Sequence, residues 1–290
     1  VTKSIILHDR TREQVTQFAA QPSHALLLVG ASGIGKATLA QQIVAEALGL
    51  TPESLAQHPY LRTVAPEKNS IGIEVIRELQ HFLQLKTLGD KPLRRAIIIE
   101  QSNSLTTEAQ NAFLKLLEEP PKDTLLVLTA STHRALLPTI LSRVQMITVY
   151  TPDQHDLKTF FAEQGKDDRA IAQAYFLSGG LPGLMHALLQ GETEHPLLTG
   201  VATAKELLGQ SVFERLSIVD RLSKQKDEAA ILLEALRRIA QVSLGQATQK
   251  ADAARIKQWH RILKHVYAAE QAMATSANTK LVLTNVMLRL

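Results

Sequence analysis

Cysteine is absent from all 290 residues. That removes disulfides, thiolate nucleophiles and cysteine-ligated zinc together. Histidine does not restore a metal site, because the ten histidines form no HExxH or comparable ligand spacing. His260 and His265 are five apart on a predicted helix and so point to different faces. Long apolar runs are missing too: none approaches the roughly 20 residues that span a bilayer. The opening VTKSIILHDR has no signal-peptide pattern, so a cytoplasmic protein without a membrane partner is the expectation. There is no internal repeat and no low-complexity tract.

An excess of charge of one sign is also small. The net charge is +4, and the whole excess falls after residue 190. A bias this weak does not identify a nucleic-acid binder. What remains is 45% hydrophobic and 21% charged residues, the profile of an ordinary soluble globular protein. The length suggests two or three domains and a substantial core.

From Ala25 to about Tyr150, short apolar runs alternate with amphipathic stretches, which predicts a layered α/β domain with a largely parallel sheet. The strand candidates are ALLLV (25–29), LRTVA (61–65), AIIIE (96–100), TLLVLTA (124–130) and VQMITV (144–149). Helices are expected from Lys36 to Gly49, Gly72 to Leu85 and near Thr106 to Glu119. In the last, Leu105, Ala109, Ala112, Phe113, Leu116 and Leu117 give one apolar face. Thr107 and Gln110 have capping-box spacing, Pro120 and Pro121 end the helix, and Glu118 and Glu119 are expected to be solvated. Beyond Tyr150 the strand signals stop. Residues 151–190 read as two or three short helices around the turn SGGLPG, and helical periodicity resumes near 197. Ile231, Leu232, Leu236 and Ile239 form one stripe; Ile256, Trp259, Leu263, Val266 and Tyr267 form another, with Trp259 as a core or interface anchor.

The stretch GASGIGKATLA, Gly30 to Ala40, matches the phosphate-binding pattern G-x-x-x-x-G-K between a strand and a helix. Glycines let backbone N–H groups converge on phosphate oxygens at the positive end of the helix. Gly30, Gly33, Gly35, Lys36 and Thr38 are therefore the candidate nucleotide contacts. The hydroxyl that would hold Mg²⁺ is missing, since position 37 is Ala, and Thr38 is turned by about 100° on the helix. A second acidic pair should follow the strand AIIIE, with one carboxylate for the metal and one for the water. Glu100 and Gln101 stand there, and an amide cannot accept a proton as a base would.

The run NAFLKLLEEPPKDTLLVLTASTHRALLPTILSRVQ, Asn111 to Gln145, closely resembles the helix, sensor strand and Ser-Arg-Cys segment of clamp-loader AAA+ subunits. HPYLRTVAPEKNSIGIEVIREL and the closing NTKLVLTNVMLRL resemble, more specifically, the delta-prime family of bacterial DNA polymerase III clamp loaders. The resemblance implies an AAA+ domain over 1–150, a helical lid over 151–192 and an all-α collar over 193–290 that holds a five-subunit ring. It implies as partners the motor subunits (gamma/tau) and the delta subunit, with the sliding clamp and primed DNA reached through the complex. It also implies an arginine finger at Arg143, within Leu141 to Val144, acting in trans on a neighbouring subunit's ATP; the alternative is a surface Arg in a salt bridge.

Several departures from that family bear on activity. The lid position that carries a sensor arginine in active members aligns with Gly183, and Val144 replaces the family's Cys. The zinc-binding insert of many relatives is reduced to GLTPESLAQ without cysteine, so no zinc is expected. The leading expectation is a non-hydrolysing scaffold subunit that needs no cofactor in its own site and binds ATP or ADP weakly or not at all. The alternatives are an active AAA+ motor subunit relying on Lys36, Thr38 and Glu100, and a P-loop kinase, disfavoured by the long helical tail. The basic excess fits either a DNA path or collar packing.

Overall fold

A computed structural model describes residues 5–67, 70–89, 91–190, 196–273 and 277–290. The chain divides into two compact units. One runs to Phe160 and includes Leu181–Leu184; the other holds Phe161–Gly180 and Met185–Leu290. The expected boundary between 192 and 193 lies outside the described residues.

The first unit is built on a five-stranded sheet of order β2-β3-β4-β1-β5. The strands are β1 (Ala25–Val29), β2 (Leu61–Val64), β3 (Arg95–Ile99), β4 (Thr124–Ala130) and β5 (Gln145–Thr148), and every pairing is parallel. Parallel strands need crossovers, and the chain supplies α1 (Asp9–Ala20), α2 (Lys36–Leu48), a short α3 (Pro52–Leu55), α4 (Ile73–Gln84), α5 (Thr107–Glu118) and a short α6 (Pro138–Leu141). Both faces of the sheet are covered, which is why β3 and β4 are buried at every position rather than at alternate ones. Leu26, Leu28, Ile98 and Val127 face α1 and α2. Leu27, Ile97, Ile99 and Leu128 face α4 and α5.

The five predicted strands are all present, two of them unchanged in bounds. The expected capping box of α5 is not. The N-cap is Thr106, whose side chain accepts from the Ala109 amide, and Gln110 is buried instead. Gln110 Nε2 donates to Leu105 O and Ala135 O, while its Oε1 accepts from the Leu137 amide. A long side chain on the buried face reaches the loop before α6, so it serves tertiary structure rather than the helix end.

α7 (Gln154–Glu163), α8 (Asp168–Ser178) and α9 (Pro182–Gln190) are followed by α10 (Pro196–Gly209), α11 (Val212–Ser217), α12 (Val219–Lys224), α13 (Lys226–Gln249), α14 (Ala253–Met273) and α15 (Thr279–Met287). In the second unit α13 packs against α10, α12, α14 and α8, with α15 against α12 and α14. Gly200 permits the close approach of α10, because a Cβ there would lie 2.7 Å from Ile231 Cγ2. Buried arginines terminate helices: Arg238 donates to Leu177 O and Ser178 O at the end of α8, and Arg215 to Leu207 O of α10. A guanidinium there satisfies carbonyls left without intrahelical partners. The second apolar stripe is rotated from its expected place. Ile262, Val266 and Ala269 are buried, Trp259 and Leu263 are half-buried, and Tyr267 is exposed with its hydroxyl accepting from Gln241. The expected set has the spacing of a single face, and packing against α13 and α15 turns the buried side of α14 part of the way round from it.

Candidate functional site

The phosphate-loop sequence lies where β1 ends and α2 begins. Its glycines are required by the path of the backbone. A Cβ at Gly30 would stand 2.8 Å from Val149 O. Gly33 has φ 82° and Gly35 φ 95°, in the left-handed region that side chains other than hydrogen rarely adopt.

Lys36 bends back onto its own loop. Its Nζ donates to Gly30 O at 2.7 Å and to Ala31 O at 2.8 Å, using two of the three ammonium hydrogens. Partial burial lowers its pKa below the ordinary lysine value. Ala37 is half-buried and offers no oxygen, and Thr38 is exposed. Across the loop lies the segment Leu181–Leu184. The Leu184 amide donates to Gly33 O at 3.0 Å. A Cβ on Gly183 would come within 2.8 Å of Gly33 O and 3.1 Å of the Gly35 nitrogen. An arginine at 183 would thus displace either this segment or the loop. These residues fit a magnesium nucleotide poorly: the metal-binding hydroxyl is absent, and the Leu181–Leu184 segment lies against Gly33 and Gly35, in the stretch whose amides a phosphate would use.

Two strands from β1 in the sheet, Glu100 follows β3 and its amide donates to Val64 O at 2.7 Å. Gln101 takes a left-handed conformation, φ 49° and ψ 48°. Its amide donates to Thr129 Oγ1, and the Ser102 hydroxyl donates to Thr129 O. The backbone at the end of β3 is therefore tied to the end of β4, while the Gln101 side chain faces solvent.

Arg143 stands apart from the loop contacts in sequence, just past α6. Its amide donates to Ile140 O, which holds the residue against the helix end. Its Nη1 donates to Thr139 O at 3.0 Å and to Ser142 Oγ at 3.2 Å. Nη2 pairs with Glu118 Oε1 at 3.0 Å. Glu118 is exposed as expected but is not merely solvated, because it holds this ion pair. Sequence reasoning missed Glu118 and Gln110. Gln110 had a signal, a polar residue next to Ala109 within the apolar stripe of α5; Glu118 had none, since its partner lies 25 positions downstream on another element.

Lys257, Arg261 and Lys264 are exposed along α14. Among the described residues no group of three His, Asp or Glu side chains could hold a metal ion. No described helix is long and apolar enough to cross a membrane. A cavity of about 720 Å³ opens between α1, α2 and the segments preceding β1, β3 and β4. It is at the opposite strand ends from the phosphate loop.

Residues 11–153 match the family described as DNA polymerase III, delta subunit. DNA polymerase III subunit delta' of Pseudomonas aeruginosa is 31% identical over 238 residues, covering 74% of this chain and 66% of that protein. Its counterpart in Escherichia coli K12 is 30% identical over 192 residues, covering 60% and 57%. The chain thus spans less than two thirds of the length of these curated relatives. A DNA polymerase III gamma subunit-related protein from Thermotoga maritima superimposes with a TM-score of 0.59 at 23% identity, over 97% of this chain and 98% of that one. At that identity the likeness speaks for the fold.

Proposed function

Because the chain belongs to the delta-prime family of DNA polymerase III clamp-loader subunits, we propose that it is a non-hydrolysing scaffold of a clamp loader in DNA replication. It assembles with motor subunits and a delta subunit, and takes part in ATP-dependent loading of a sliding clamp onto primed DNA. The observation that carries the reading is the seating of Leu181–Leu184 on the loop: the Leu184 amide donates to Gly33 O, and a Cβ at Gly183 would meet Gly33 O at 2.8 Å, so the position aligned with the sensor arginine has no room for one. Phosphoryl transfer needs a metal, a positioned water and cations free to meet charge developing on the phosphoryl oxygens. Ala37, Gln101 and Gly183 leave each of those parts incomplete in this chain's own site, which binds ATP or ADP weakly or not at all. The motor-subunit alternative requires Lys36, Thr38 and Glu100 to suffice, and the exposed Thr38 beside Ala37 together with the closely packed Gly183 speak against it.

Arg143 is the residue we assign to chemistry, on ATP held by a neighbouring subunit. A guanidinium matches the charge of a transferring phosphoryl group, and such a finger contributes about 10³ to 10⁵ in rate. The chain alone and the reconstituted complex are to be assayed for ATP turnover. Robust turnover by the isolated chain, abolished by Lys36→Ala, would overturn the scaffold reading. Arg143→Ala should leave assembly intact and lower the clamp- and DNA-stimulated rate of the complex tenfold or more; an unchanged rate in an intact ring would remove the finger.

A further inference from the structure

The ion pair between Arg143 and Glu118 raises a chemical difficulty for a finger. A guanidinium 3.0 Å from a carboxylate has its field largely cancelled, yet its use to a neighbour's phosphates depends on that field. Glu118 is also oddly placed for helix stability. It is the last residue of α5, where the helix dipole is negative and an acidic side chain is disfavoured. Pro120 and Pro121 follow within three residues and fix where the helix stops. Nothing in α5 itself accounts for a carboxylate there; Arg143 does.

The pair is built for release. The two side chains are 37% and 50% exposed, and ion pairs this open hold weakly and are screened by salt. A nucleotide γ-phosphate carries more charge than one carboxylate and offers several oxygens to the same fork of donors. The contacts of Nη1 with Thr139 O and Ser142 Oγ are neutral and anchor the other side of the guanidinium while Nη2 exchanges partners.

We propose that Glu118 is a positioning residue that acts as a latch: it parks Arg143 on its own subunit and yields it to the phosphate of the neighbouring subunit's nucleotide. The proposal rests on Arg143 acting in trans. Its consequence is that turnover stays low in a ring that has not closed correctly, because the competing carboxylate is displaced only when the neighbouring phosphate is brought up to Arg143.

Glu118→Gln keeps the shape and removes the charge. In the reconstituted complex it should raise ATP turnover measured without clamp and DNA by about 1.5- to 5-fold, the factor an exposed pair of this kind is worth. The stimulated rate, where the latch is already open, should change by less than about 1.5-fold by the same reasoning. The increase should shrink as salt is raised and vanish in an Arg143→Ala background, as a merely structural role of Glu118 would not. An unchanged or lowered basal rate, with Arg143→Ala still abolishing stimulation, overturns the latch and leaves the finger standing. A rise that persists without Arg143 also overturns it. Loss of any Arg143→Ala effect removes the finger and the latch together. Size-exclusion of each complex establishes that the variants assemble.

Discussion

Lys36→Met separates the two readings of the phosphate loop most directly. In a working nucleotide site this lysine contacts phosphate, and its removal abolishes binding with little effect on the free protein. Here Nζ bonds to two carbonyls of its own loop, at 2.7 and 2.8 Å, so the variant strips a structural link while keeping most of the apolar stem. A hydrogen bond from a charged donor contributes roughly 1.5–3 kcal/mol net. Two such bonds would exceed that, but one is solvent-exposed and the ammonium is partly desolvated, as its lowered pKa records. The expected loss is therefore about 1–3 kcal/mol, or roughly 2–10 °C in Tm for a unit of this size. Urea denaturation of the isolated chain measures the first quantity, and clamp- and DNA-stimulated turnover of the reconstituted ring, expected to stay within about twofold, measures the second. The reasoning is refuted if stability is unaltered while ring turnover falls tenfold or more.

Two further substitutions test the elements around the site. Gly183→Ala places a methyl 2.8 Å from Gly33 O, a backbone atom that cannot swing away; it should cost about 1–3 kcal/mol, read as a lower urea midpoint at unchanged m, and a neutral result would mean the segment is not seated on the loop. Asp123→Asn probes the start of β4: burial acts to raise the Asp123 pKa, but the Thr87 hydroxyl, Arg95, the Thr124 hydroxyl and Arg94 outweigh it and hold it below the ordinary value. A depressed folded-state pKa gives stabilisation that is complete above the unfolded Asp value of about 3.9 and disappears as pH falls through the folded one. The variant should therefore be less stable at neutral pH and lose less on acidification; parallel acid limbs for the two proteins would exclude this role for Asp123.

The sheet was legible because burial on both faces writes itself into sequence as continuous apolar runs; β4 is TLLVLTA, buried at every position. Helix ends were less so. Thr106 and Thr107 are both adequate caps by type, and only the destination of Gln110, in the loop before α6, decides between them. The stripe on α14 was misread for a related reason. Periodicity locates a helix, but its buried side is chosen by α13 and α15, which no local pattern specifies. At the candidate site, loop and lysine were recognisable by spacing, whereas the posture of Lys36 was not. A lysine that cradles phosphate and one that grips its own backbone are the same letter in the same place.

That ambiguity has a physical origin in the loop's glycines. Gly30 is required by the approach of Val149, and Gly33 and Gly35 by their positive φ, whatever occupies the loop. The motif therefore reports the strand-to-helix path of the backbone, and would survive loss of the nucleotide unchanged. Information about chemistry resides instead where the backbone makes no demand. Ala37 is on an ordinary helical turn and Arg143 follows a short helix that places no condition on its side chain, whereas Gln101, though its side chain is exposed, holds a left-handed backbone with φ 49°. Substitution at such positions is limited chiefly by what the side chain does. Ala37 has no hydroxyl and Gln101 no carboxylate, while Arg143 is a guanidinium paired with an exposed carboxylate. The dipole of α5 disfavours an acid at its end, so the stability of that helix does not account for the pair. A guanidinium able to leave that carboxylate is what the proposed action of Arg143 on a neighbour's nucleotide requires.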